Sequence, residues 1–501
     1  MQSVETYDFV VIGAGTAGCV LATRLSEDGD VRVLLLEAGN AEPLEAMAVP
    51  AAWPTLLQST ANWGDVTVEQ AATGTSIPLG RGRGLGGSSS INAMAFVRGH
   101  RASYDAWVRA GAKGWGFDDL LPYFRRSENA DRRDPALRGV GGPLTVRSAD
   151  PLHPVAAAGL EAAVQAGHQR AGDVSGGQEE GFGAIDLNVV GGRRQSAADA
   201  YLRPVLHRPN LDVVTGALVH RVLVENGRCV GVEYRTDAGV SVAACSREVV
   251  LCAGAVGSAQ VLMQSGIGPA AHLRDVGVEV VLDLPGVGGN LHDHAIVPLV
   301  YAAARPVPAT GGPHGEVIGM VRSHLATDGP DLQLLFIDIP YAPGVAVDGY
   351  TIAVSPMLPR SRGTVRLSSA EPGARPVIDP NHLGDEHDLA TAVAGLRLAR
   401  EIGRAAALDP WRGEELHPGP DVTDDAALRA YARRSTSSYF HLVGTCRIGQ
   451  DEAAVVDPDL RVHGIDGLRV ADGSVIPSIP SANTNATVYA IAERAADLIR
   501  S

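Results

Sequence analysis

The sequence predicts an α/β fold, α+β when the whole chain is counted, beginning with a Rossmann-like domain. Three observations carry this prediction. An apolar strand, a glycine-rich turn, a helix and a second strand follow one another between residues 7 and 37. Strand patterns recur far downstream, at Leu332–Ile339, Tyr350–Leu358 and Thr364–Leu367, and a long helical pattern follows at Asp388–Ile402. The chain has 501 residues, too many for one simple core, which favours two or three domains.

The first element, Tyr7–Ile12, is a short run rich in β-branched residues, as a buried parallel strand requires. It enters Gly13-Ala14-Gly15-Thr16-Ala17-Gly18, followed by apolar residues at helical spacing over Cys19–Leu25. Gly13 permits the tight turn, Gly15 lets the backbone approach a pyrophosphate, and Gly18 lets helix and strand pack closely. The first-turn amides, with Thr16 and Ala17, offer N–H groups and a partial positive charge to an anion. A second strand, Val31–Leu36, ends in Glu37 and Ala38, and Glu37 stands 19 residues after Gly18. A carboxylate there can accept hydrogen bonds from ribose hydroxyls. Strand, glycines, helix, strand and acid in this order predict a dinucleotide site. The motif alone does not separate FAD from NAD; its N-terminal position and the later segments favour FAD.

Composition excludes several classes. Lys plus Arg is 42 and Asp plus Glu is 57, a net charge of −15. Such a surface repels phosphate backbones and anionic lipid, so neither nucleic acid nor membrane is expected as a partner. The five cysteines, Cys19, Cys229, Cys245, Cys252 and Cys446, form no CxxC pair. A disulfide framework, a zinc site and a dithiol centre are therefore not expected. No basic, apolar leader precedes the first strand and no 18-residue apolar run occurs, so a soluble cytoplasmic protein is the expectation.

Further segments carry a family resemblance. Gly82-Arg83-Gly84-Leu85-Gly86-Gly87-Ser88-Ser89-Ser90-Ile91-Asn92-Ala93 has little side-chain bulk and can lie flat against a cofactor. Gly254–Gly268 follows the apolar run Glu248–Ala253. His441-Leu442-Val443-Gly444-Thr445 and the stretch from Asp472-Gly473 to Asn483-Thr484-Asn485-Ala486-Thr487 complete the set. In this order, over nearly the whole chain, they resemble the glucose–methanol–choline (GMC) oxidoreductase family. The likeness is to the bacterial branch that holds choline dehydrogenases, hydroxymethylfurfural oxidases and pyridoxine oxidases.

The resemblance implies bound FAD and oxidation of an alcohol. It places the 82–93 loop, through Arg83, Gly86, Gly87, Ser88, Ser90, Ile91, Asn92 and Ala93, along the pyrophosphate and flavin ring. It places Val219 near the adenine and makes Ala253, Gly254, Asp472 and Gly473 cofactor-binding; an acid such as Asp472 at a strand end can hold ribityl hydroxyls or orient the pyrophosphate loop. Some members tether the flavin through a histidine just before the loop asparagine; here that position is Ile91, so non-covalent FAD is expected. The resemblance also implies a discontinuous FAD-binding domain (1–144, 191–295 and 440–501). The remainder, 145–190 and 296–439, is implied to be a substrate domain built on an antiparallel sheet flanked by helices.

Alcohol oxidation needs a base for the hydroxyl proton and an acceptor for hydride. Histidine suits the first task, its ordinary pKa being about 6.5. The family's catalytic histidine begins the motif HPVGT, which falls on His441, with Leu442 replacing proline. The second catalytic residue, His or Asn, falls on Asn483. Asn485 precedes a strong helical pattern and is read as its N-cap, near the flavin C2 carbonyl, with Ala486 and Thr487 behind it.

Phe336, Asp338, Tyr341, Phe440 and Trp63 are conceivable pocket residues. Gly286–His294 resembles the family's link between domains, and its His292, Asp293 and His294 lack the further ligands a metal site needs. With no evident carboxylate for an ammonium group, the expected substrate is a neutral primary alcohol, aromatic or furanic. Reoxidation would be by O₂ or another acceptor. A hydroxynitrile lyase on the same fold, with no net redox, is the alternative. An NAD-dependent dehydrogenase leaves the 82–93 and 441–487 segments unexplained.

Overall fold

The computed structural model describes residues 5–177 and 180–501. Two seven-stranded sheets organise them. In the first, Thr6–Ile12 lies between Val33–Leu36 and the long strand Gly239–Leu251, parallel to both. Leu211–Val214 extends one side, and Leu468–Val470 pairs with Val249–Leu251. Gly239–Leu251 changes partner along its length. Its first part pairs antiparallel with Arg228–Thr236, and its last residues run parallel to Thr6–Ile12. The central strands are buried on both faces, as their unbroken apolar runs require.

The residues Val213–Val222 suit a strand throughout and read in sequence as one strand, but they belong to two, Leu211–Val214 and Leu218–Glu225. Gly216, at φ +63°, turns the chain between them. Gly216 N–H then donates to Gly39 O and Ala217 N–H to Glu37 O, each at 2.8 Å. The break brings Ala217–Val219 beside the glycine-rich turn.

Helix Thr16–Leu25 packs against the C-terminal helix Asn485–Arg500. Arg24 grips the buried carboxylate of Glu493 with two hydrogen bonds, at 2.8 and 2.9 Å. Tyr201 donates to the same carboxylate at 2.8 Å. The N-terminal and C-terminal ends of the chain are thereby locked together.

The second sheet is antiparallel, in the order Arg412–His417, Ala295–Ala303, Gly349–Pro356, Leu332–Ile337, Gly315–Val321, Gly181–Ala184. Helices Pro154–Gln165 and Glu386–Gly403 cover one face. Two glycines set this close packing. A Cβ at Gly159 would lie 2.4 Å from the Phe336 ring, and one at Gly395 would lie 2.3 Å from Val354. The other face turns towards the first sheet. Thr364–Arg366, expected as another strand of this region, pairs instead with Val377–Asp379 in a separate ribbon. No helix among the described residues is long and apolar enough to cross a membrane.

Candidate active site

A cavity of about 470 Å³ runs between the two sheets. The end beside the glycine-rich turn is built mainly from backbone. Gly13 sits at φ +96° under Cys252, and a Cβ on Gly18 would fall 1.8 Å from Gly13 O. Gly15 and Gly254 line the cavity, and a Cβ on either would meet nothing closer than 3.9 Å, so a side chain there would project into open space and fill it. Gly87 crosses above Gly15, where a Cβ would meet Gly15 Cα at 2.7 Å. Helices Thr16–Leu25, Gly254–Gln264 and Asn485–Arg500 all start at this wall, aiming free amides and positive dipole ends into one space.

Two buried carboxylates brace these loops. Glu37 accepts from Ala14 N–H and Gly39 N–H at 2.8 Å and from Gly84 N–H at 2.9 Å. Burial raises its pKa, and the three amides oppose that rise. Asp472 accepts from Gly254 N–H at 2.8 Å, Ser258 Oγ at 2.5 Å and Ser474 N–H at 2.7 Å, and burial again pushes its pKa up. Glu37 therefore ties the first turn to the 82–93 loop, a task its sequence position does not reveal.

Of the residues singled out from sequence, Gly13, Gly15, Thr16, Ala17, Glu37, Ala38, Gly87, Ser88, Ile91, Asn92, Ala93, Val219, Ala253, Gly254, Asp472, Gly473, Asn483, Asn485 and His441 line the cavity. Six lie behind the wall. Gly18 packs on Gly13, and Ser90 Oγ donates to Leu85 O at 2.8 Å. Gly86 N–H donates to Ala14 O at 2.7 Å. Thr487 Oγ1 bonds the Tyr104 hydroxyl at 2.8 Å, Ala486 is buried, and exposed Arg83 stacks on Trp63. Asn485 is the first helical residue and Thr484 the N-cap. The Asn485 side chain is instead turned to Thr16, whose hydroxyl donates to its Oδ1 at 2.9 Å. Its Nδ2 is buried without a partner. A donor left bare at a helix N-terminus suits a ring carbonyl of a bound flavin, and the glycine cradle suits its pyrophosphate.

At the far end the wall is made of side chains. Tyr439, Phe440 and His441 lie on a loop held by the bridge between Ser437–Ser438 and Ala295–Ile296. Phe440 adopts φ +65°, a left-handed conformation uncommon for a bulky residue. Asp293 fixes the next residue, accepting His441 N–H at 2.8 Å. Leu442, where the family has proline, is followed by Val443, which exchanges backbone hydrogen bonds with His292 at 3.0 and 3.2 Å. His441 Nε2 stands 3.3 Å from Asn483 Nδ2, and its Nδ1 stands 2.9 Å from His294 Nδ1. Burial holds His441 down to about 3, with His294 adding to the fall and Asp293 opposing it. The ring is neutral at neutral pH, the state in which an imidazole can accept a proton.

Strand parity corrects two pocket assignments. On Leu332–Ile337, Leu335 and Ile337 face the cavity, whereas Phe336 points into the helix-covered core against Gly159. Asp338 does not line the cavity; its Oδ1 holds His314, which does, at 3.0 Å. Tyr341, Phe440 and Trp63 do line it, joined by Trp53, which donates from Nε1 to Pro313 O at 2.8 Å. Trp53, His314, His294 and Tyr439 carry no spacing signal, although His294 stands in the segment Asn290-Leu291-His292-Asp293-His294. The side chains of His292 and Asp293 are engaged: His292 with Asn290 O at 2.6 Å and Ile479 N–H at 2.8 Å, and Asp293 with Ser438 at 2.5 Å and His382 at 3.0 Å. No group of three or more His, Cys, Asp or Glu among the described residues could hold a metal ion.

The N-terminal GMC oxidoreductase family profile matches residues 7–296, and the C-terminal one matches 359–492. The chain is 41% identical to mitochondrial choline dehydrogenase of Homo sapiens, over 100% of this chain and 90% of that protein. It is 40% identical to oxygen-dependent choline dehydrogenase of Brucella canis, over 98% and 95%. Among solved structures, pyridoxine 4-oxidase from Mesorbium loti superposes with a TM-score of 0.94 at 37% identity, covering 98% of both chains. A fungal aryl-alcohol oxidase gives 0.86 at 27%, also covering 98% of both. The lyase alternative finds no support among these relatives. The cavity, its glycine cradle and these matches together make the chain a member of the GMC oxidoreductase family, an FAD-dependent enzyme that oxidises alcohols.

Proposed function

We propose that the substrate is a neutral primary alcohol, aromatic or furanic, oxidised to its aldehyde with His441 as base and Asn483 beside it. The observation that carries this is the state of the cavity's acids. Among the described residues Glu37, Asp65 and Asp472 are the carboxylates in its wall, and each already has partners: amides, the Arg81 guanidinium, and amides with Ser258. Glu37 and Asp472 brace the glycine loops and Asp65 is paired with Arg81, which leaves no unpaired carboxylate among the aromatic side chains for an ammonium group. Trp53, Trp63, Tyr341, Tyr439 and Phe440 supply flat apolar surface on which an aromatic or furanic ring can stack.

His441 Nε2 takes the hydroxyl proton, and Asn483 Nδ2 donates to the substrate oxygen as its charge develops. A flavin held in this cavity would supply the acceptor for the hydride that leaves the carbinol carbon. Asn485 Nδ2 and the helix N-terminus behind it would hold the ring carbonyl, the glycine cradle the pyrophosphate, and Glu37 the ribose. Ile91 offers no nucleophile, which supports non-covalent FAD. We read 1–144, 191–295 and 440–501 as the FAD-binding domain and 145–190 and 296–439 as the substrate domain. Five free, buried cysteines are in keeping with a cytoplasmic setting.

The test is an anaerobic titration of the holoenzyme with benzylic and furanic alcohols and with choline, watching the longest-wavelength flavin band. Bleaching by the neutral alcohols is expected, and readmitted air then tells whether O₂ or another acceptor is used. Bleaching by choline alone would overturn the substrate class.

A further inference from the structure

We propose that one directed hydrogen-bond chain, from the Tyr439 hydroxyl to the Met357 carbonyl, holds neutral His441 with its proton on Nδ1, and that His294 and Gln333 are the positioning residues that enforce this. The inference deepens the reading of His441 as the base and rests on it.

The direction is set at one end by an atom that can only accept. Met357 O lies 3.1 Å from His294 Nε2, so that nitrogen carries a proton. A neutral imidazole has one N–H, which leaves His294 Nδ1 bare. His441 Nδ1 lies 2.9 Å away, and two bare nitrogens cannot bond, so His441 Nδ1 donates. Its lone pair is then on Nε2, the nitrogen nearest Asn483.

The other end gives the same answer. Met320 Sδ, which can only accept, lies 3.3 Å from Gln333 Nε2, so Gln333 Oε1 is the atom turned to the Tyr439 hydroxyl, which donates to it at 2.8 Å. Gln333 Nε2 consequently faces Asn483 Oδ1, at 3.5 Å. Asn483 therefore presents Nδ2, a donor, to His441 Nε2 at 3.3 Å, and a donor requires that nitrogen to be bare.

The surrounding charges fit. Burial keeps His294 at about 4 and His441 at about 3, so both rings are neutral at neutral pH. Asp293 is held below the usual carboxylate range by His382 and Ser438 despite its burial. Its oxygens are occupied by His441 N–H, Ser438 and His382, so it does not compete for Nδ1. His294 takes the place that a carboxylate usually fills behind a catalytic histidine. When the substrate O–H bond breaks and Nε2–H forms, the imidazolium keeps Nδ1–H and donates it to neutral His294.

The experiment uses holoenzyme labelled with ¹⁵N-histidine. Long-range ¹H–¹⁵N correlations report which ring nitrogen is protonated, with His441 assigned by its loss in His441→Ala. A protonated Nδ1 and a bare Nε2 are expected at neutral pH; a proton on Nε2 overturns the proposal. At equal flavin content, His294→Leu should shift His441 to a tautomer mixture and lower kcat roughly 10²-fold. His294→Asn, which keeps an acceptor at the Nδ1 position, should recover most of that loss. An unshifted tautomer in His294→Leu, or equal losses in both variants, would refute the role. The expected tautomer together with a fully active His441→Ala would sink the base reading instead.

Discussion

At the end of the cavity that we propose holds the nucleotide the wall is mostly backbone; at the end proposed for the substrate it is mostly side chain. The first end works by proximity. Gly13, Gly18 and Gly87 bring three stretches of chain, around residues 13–18, 87 and 252, closer than any Cβ would allow, and Glu37 and Asp472 accept the amides so exposed. The second end works by shape. Residues from distant strands and loops, including Trp53, Leu335, Ile337 and Phe440, meet there without a common spacing. His441 sits at the seam, tied to Asp293 and His294 on one side and Asn483 on the other. Cofactor binding and substrate choice should therefore fail separately under mutation.

Three substitutions test that separation. The largest effect belongs to Gly18→Ala. Its new methyl would lie 1.8 Å from Gly13 O, a backbone atom that cannot swing aside as a flexible side chain would. A cost of about 4 kcal/mol or more and a colourless or insoluble protein are expected. A yellow, stable variant would break the account of the nucleotide end. At the seam, His441→Ala should keep its flavin spectrum and lose roughly 10²–10⁴-fold in turnover; near-normal turnover would remove His441 from the chemistry. At the substrate end, Leu335→Ala should leave flavin content unchanged and raise KM about tenfold, the size of a lost apolar contact. Loss of flavin in that variant would show that the two ends are not independent.

The same division governs what is legible in the sequence. The turn at Gly13–Gly18 and the acid at Glu37 are legible because strand, turn and helix impose fixed spacings. His441 and Asn483 are legible only through the family resemblance, since neither has a local pattern of its own. Phe336 reads as a pocket residue because of its aromatic ring, while strand alternation turns it into the helix-covered core and turns Leu335 and Ile337 towards the cavity. Asn485 reads as an N-cap because it precedes a helical run. A contact across 469 residues, to Thr16, draws its side chain away from that task. Val213–Val222 reads as one strand because its residues suit a strand throughout; the turn at Gly216 is secured by Glu37 and Gly39, which are far off in sequence.

By itself the sequence determined the glycine-rich turn, the order of the elements around it and the acidic character of the surface. Those depend on backbone freedom, hydrophobic period and net charge, which are local or additive properties. The tertiary structure decided which side chains share the cavity, which carboxylates are already taken, and which nitrogen of His441 faces Asn483. These depend on atoms brought within about 3 Å by packing, and hydrogen-bond direction is fixed only when every member of the chain is in place.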